Sequence, residues 1–141
     1  MIGVVIDTNV MVSANLKPEG LEAKVVRWAM NRQAQLYVSP AILEEYQRVL
    51  SYPEFKFVPE EIADFLSLVR RVAVLVRSTR RLNECRHESD NRFLECAEAA
   101  RAHYLVTDNS AHFPRRWKNT QVVNSRQLIE VVVARRLRSD L

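Results

Sequence analysis

An α/β fold with a central, mostly parallel sheet of about five strands is predicted by three observations. Short apolar runs alternate with helical periods along the chain, the pattern of strands covered by helices on both faces. The run Ile2 to Ile6 reads as a buried central strand. That strand delivers Asp7 at its carboxyl end, and in open α/β sheets ligands bind outside the carboxyl ends of the strands.

Taken in order, strands are predicted over residues 2–6, 35–38, 72–76, 104–107 and 121–123. Between them, helical spacing predicts helices over about 8–14, 21–32, 40–51, 60–70, 90–102 and 125–138. Pro40 at a first helical position, after Ser39 as N-cap, starts the third helix. Ser125 is expected to cap the last one. Residues 52–59 and 78–89 read as loops, and no repeat or linker divides the chain. A single domain over residues 1–141 is expected, because 141 residues with 48% hydrophobic content suffice for one core.

Composition removes several classes of function. No apolar run is long enough to span a membrane and no signal-peptide pattern is present, so a cytoplasmic protein is expected. The two cysteines, Cys85 and Cys96, lack the spacing of a zinc site or a disulfide framework. Two glycines cannot build a GxGxxG fingerprint, and their separation rules out a phosphate-binding GxxxxGK loop. His87, His103 and His112 form no HExxH pair, and no serine sits in a GxSxG elbow. Chemistry must then come from carboxylates. The formal net charge of +4, carried mainly by arginine, points to a polyanionic partner.

Four acidic positions stand out. In the helix after Pro40, the apolar stripe is Ile42, Leu43, Tyr46, Val49 and Leu50; Glu45 falls about 100° from its centre and Glu44 about 160° away. Glu45 is therefore placed to lean over the sheet edge. In the helix from Asp90, a face of Phe93, Cys96, Ala97 and Ala100 puts Asp90 about 50° from its centre and Asn91 about 150° away. Asp90 would serve as an N-cap or share a cation with Asp7. Asp108 ends the run from Tyr104 to Thr107 as Asp7 ends the first strand, so neighbouring strands would bring the two together. Carboxylates crowded in this way raise one another's pKa unless a cation such as Mg²⁺ or Mn²⁺ neutralises them.

These residues resemble the PIN-domain family, the Mg²⁺-dependent ribonucleases that include VapC-like toxins of toxin-antitoxin systems. Ile6-Asp7-Thr8-Asn9-Val10 is similar to the family's opening motif, and residues 39–50 to its SxxxLxElxxVL helix, with Glu45 at the acidic position. Asp90 to Ala97 resembles its DDxFLexA helix, and residues 102–107 the strand that leads into Thr-Gly-Asp. One departure is evident: Thr107-Asp108-Asn109 stands in place of Thr-Gly-Asp, so either Asp108 or Asn109 would take the last acidic role.

The resemblance implies a three-layer α/β/α PIN-like fold and a metal-dependent endoribonuclease, a hydrolase acting as the toxin of a type II system. Asp7, Glu45, Asp90 and Asp108 would be catalytic, with Asp7, Asp90 and Asp108 holding Mg²⁺ or Mn²⁺. Thr8, Asn9, Thr107 and Asn109 would support them. RNA as substrate, a small protein antitoxin and a homodimer are the partners implied. Two other readings compete. One is a catalytically weakened PIN-like module that binds RNA or protein, supported by the substitution at Asn109. The other is a haloacid-dehalogenase-like phosphatase, opposed by Asn9 at the place of its second aspartate.

Overall fold

The computed structural model describes residues 1–139, of which Ser139 is described in its backbone only. Its elements, in order, are β1 (Gly3–Ile6), α1 (Thr8–Leu16), α2 (Leu21–Met30), β2 (Gln35–Val38), α3 (Pro40–Leu50), α4 (Pro59–Val72), β3 (Val74–Leu75), α5 (Asn91–Ala100), β4 (Tyr104–Val106), β5 (Arg116–Trp117), β6 (Thr120–Val123) and α6 (Ser125–Ser139). The strands form one sheet in the order β3-β2-β1-β4-β6-β5, flanked by helices. All neighbouring pairs are parallel except β5–β6. This is the α/β architecture read from the alternation of apolar runs.

β1 is the switch point of the sheet, with β2 on one side and β4 on the other. All four of its residues are buried, as a strand covered on both faces requires. Gly3 is needed for packing: a Cβ there would come within 2.8 Å of the Tyr37 ring. In α3, Ser39 caps the helix as expected, its hydroxyl accepting from the Ile42 amide at 3.3 Å, and Ile42, Tyr46 and Leu50 enter the core. α5 packs across β1, β2 and β4. Its Phe93, Leu94, Cys96 and Ala97 are buried.

Four features depart from the sequence reading. A sixth strand, β5, folds back on β6 through a two-residue turn in which Lys118 takes a left-handed φ of 53°. Two residues of strand are too few to give a periodic signal. The third strand shrinks to Val74–Leu75 because α4 runs on to Val72. α6 is capped by Asn124, not Ser125: the Asn124 and Gln127 amides each donate to the other's side chain at 2.8 Å. Asn91 is fully buried although helical phase pointed it outward. Its carboxamide oxygen accepts from the amides of Glu84 and Cys85, at 3.0 and 2.9 Å, and so ties the preceding loop to α5.

The two tryptophans sit among charges. Trp28 has Lys24 and Arg136 over its ring, 5.5 and 5.4 Å from the centroid. Trp117 donates its indole N–H to Glu98 at 3.2 Å. Among the described residues no helix is long and apolar enough to cross a membrane.

Candidate acidic site at the sheet edge

The parallel register of β1 and β4 pairs Ile6 with Val106 and brings Asp7 and Thr107 out side by side. The Asp7 amide donates to the Val106 carbonyl at 2.9 Å. Asp7 is only 5% exposed. One carboxylate oxygen accepts from the Thr8 amide at 2.8 Å and the other from the Thr107 hydroxyl at 2.7 Å. Asp7 thereby caps α1. Thr107 in turn accepts from the Asn109 amide at 3.0 Å, and the Asn9 side chain takes the Asp108 amide at 3.5 Å. Thr107 and Asn9 therefore tie the ends of β1 and β4 together, while Thr8 and Asn109 bond locally to Asp7 and Thr107.

α3 brings Glu45 to the same edge, half-buried, while Glu44 is exposed. The Thr8 hydroxyl donates to Glu45. Beside it the Tyr46 hydroxyl, fully buried, donates to the Ile6 carbonyl and clamps α3 onto the end of β1. Arg48 approaches Glu45 loosely, at 3.9 Å. Asp90 stands at the start of α5 without capping it through its side chain. Its Oδ2 instead lies 3.5 Å from His112 Nδ1, whose ring packs 4.4 Å from that of His87.

Burial pushes the Asp7 carboxyl up to about 6; the charges of Asp90 and Glu45 push the same way, and the bonds from Thr107 and Thr8 oppose them. Asp90 is also raised, chiefly by burial, with both histidines pulling it down. Asp108 goes elsewhere. Its carboxyl is raised by burial and by Glu22, and it bonds toward Glu22 and Ser13 instead of facing Asp7.

This geometry corrects the expected metal site. Among the described residues no group of three or more His, Cys, Asp or Glu side chains is arranged to hold a metal ion. Both Asp7 oxygens are taken by Thr8 and Thr107 and Glu45 accepts from Thr8, Asp108 lies by Glu22 and Ser13, and the buried Asp90 Oδ2 has no hydrogen-bond partner among the described residues, His112 standing 3.5 Å away. The assignment of Asp7, Asp90 and Asp108 as ligands of Mg²⁺ or Mn²⁺ is not supported, and the expectation of a metal-dependent endoribonuclease falls with it. The competing reading, a PIN-like binding module, accords better with the site.

His112, His87, Ser13 and Glu22 join the carboxylates as neighbours that sequence reasoning missed. Only His112 carried a hint, because it lies shortly after β4, whose end approaches that of β1. Between α1 and α3 a groove of about 570 Å³ adjoins the acidic edge. Val12, Val49 and Phe55 form its apolar side and Thr8, Asn9, Ser13, Glu45 and Arg48 its polar side. Ser89 brings the Asp90 turn to it.

A parallel sheet with acidic side chains gathered where β1 meets β4 defines the class as an α/β domain with its site at the topological switch point. The chain belongs to the PIN domain family, whose pattern matches residues 3–111. It is 34% identical over 110 residues to the uncharacterized protein MJ1680 of Methanocaldococcus jannaschii, covering 76% of this chain and 71% of that protein. Its fold is similar to a chain in the crystal structure of VapBC2 from Rickettsia felis bound to a DNA fragment from their promoter. That match has a TM-score of 0.60 and 18% identity, and covers 87% of this chain and 98% of the other. At that identity the likeness is one of fold.

Proposed function

We propose that this chain is a PIN-domain protein-binding module, whose acidic groove receives a basic segment of a small partner protein of the antitoxin type. The observation that carries this reading is the groove between α1 and α3, where the apolar wall of Val12, Val49 and Phe55 meets Glu45 and adjoins Asp7 and the Asp90 turn. An apolar wall beside a carboxylate that, among the cations of the described residues, only Arg48 contacts, at 3.9 Å, suits an amphipathic segment that carries arginine or lysine. A guanidinium would displace the loosely held Arg48 and relieve the repulsion that raises Asp7. An RNA phosphate would add to that repulsion instead, which favours protein over RNA at this groove. The same reading takes residues 1–141 as one domain and the protein as a cytoplasmic homodimer.

The test is calorimetric titration of the full chain with an amphipathic peptide carrying one arginine among leucines at helical spacing, beside the same peptide with glutamine for arginine. The arginine peptide is expected to bind at least tenfold more tightly, and Glu45→Gln with Asp90→Asn should erase the difference. Equal binding of both peptides would overturn the proposal. So would Mg²⁺-dependent RNA cleavage by the pure chain that Asp7→Asn abolishes.

A further inference from the structure

We propose that a second cleft, bounded by β5, β6 and the start of α6, binds the phosphate group of a nucleotide, free or within a strand. The cleft holds about 740 Å³ and is lined by Arg115, Arg116, Gln121, Gln127, Ser110 and Phe113, among others. It falls within the roughly 300–1,000 Å³ of typical ligand sites. Among the described residues no carboxylate lines it, and it shares no lining residue with the acidic groove.

Arg115 and Arg116 are both exposed. Neither has a carboxylate partner among the described residues, whereas Arg80 is held by Glu98 and Arg92 by Glu88 and Glu95. Two adjacent guanidinium charges thus line a cleft that holds no carboxylate among the described residues. Arg116 pairs with Gln121 across the hairpin, so their side chains share one face. The Arg115 carbonyl accepts from the Val122 amide at 3.0 Å, which holds its backbone against β6. Gln127 is fixed by its reciprocal bond with Asn124, which uses its side-chain oxygen and leaves its NH₂ free to donate. Two guanidinium groups, two carboxamides and the Ser110 hydroxyl therefore line one cleft with donors in excess. Such a set recognises phosphate, and arginine does so bidentately.

The test is fluorescence polarisation of the full chain with a labelled twelve-residue oligouridylate, with uridine monophosphate, inorganic phosphate and unlabelled strand as competitors. Arg115→Ala with Arg116→Ala is expected to weaken binding tenfold or more and to flatten the salt dependence by roughly 1.4 in slope, about 0.7 for each phosphate no longer neutralised. The control pair Arg70→Ala with Arg71→Ala removes the same charge from the exposed end of α4 and should change affinity less than threefold. Displacement by the mononucleotide or phosphate assigns the site to free nucleotides, and displacement by strand alone assigns it to a strand; either supports the cleft. Equal losses in the two double variants, or unchanged binding in the first, would overturn it. Glu45→Gln should leave this binding intact, so its outcome is separate from that of the peptide titration.

Discussion

Asp7 couples proton binding to folding more strongly than any other carboxylate at the edge. Its folded pKa of about 6 lies above the ordinary value of 3.8, so between those values the folded chain holds a proton that the unfolded chain releases. Stability from this group is therefore fully present below about pH 4 and is lost as pH rises through about 6, a change on the order of 3 kcal/mol. Urea unfolding from pH 4 to 7 should show this decline in the native chain and a flatter profile in Asp7→Asn; parallel profiles would refute the coupling. Helical phase was enough to place Glu45 at the edge and Glu44 in solvent, because both the stripe and the two acids lie on one helix. The direction of Asp108 was not legible, since Glu22 and Ser13, which draw it aside, come from other elements.

At the scale of elements, the loop before α5 depends on one carboxamide. Asn91 holds the Glu84 and Cys85 amides and donates to Glu88 at 3.1 Å, while Glu95 holds the Leu82 amide at 2.8 Å. Asn91→Leu would leave two loop amides without their acceptor, at about 1–3 kcal/mol for each that stays buried. Limited proteolysis should then cut within residues 82–90 well before any other segment, while α3, anchored by Ser39 and Tyr46, stays protected. Cleavage no faster than in the native chain would argue against this anchoring role. The sequence offered periodicity, which finds whole helices and buried strands; it could not show that Asn91 turns beneath a loop, because that burial comes from the chain before the helix. Likewise α3, with its Ser39-Pro40 start and apolar stripe, was legible from local residues alone, whereas β5 exists only by pairing with β6.

Across the whole molecule, the acidic groove and the arginine cleft lie on different elements, α1 and α3 for one and the β5–β6 hairpin with α6 for the other. Occupants of opposite charge should thus bind together. The arginine peptide is expected to titrate with unchanged affinity when the cleft is saturated with oligouridylate, and a shift of more than threefold either way would show that the sites overlap or communicate. The fold was legible because the order of buried strands survives in the sequence, and so was the meeting of β1 and β4. The disposition of charge between two clefts was not, since Arg115 and Arg116 read like any other arginines until the fold brings them to one cleft with Gln121 and Gln127. The two tryptophans give this division an optical consequence. Trp117 follows Arg116 directly on β5, while Trp28, on α2, carries Arg136 of α6 over its ring. With Trp28 replaced by phenylalanine, the remaining indole emission becomes a label-free signal from the hairpin; with Trp117 replaced, it reports the seating of the last helix.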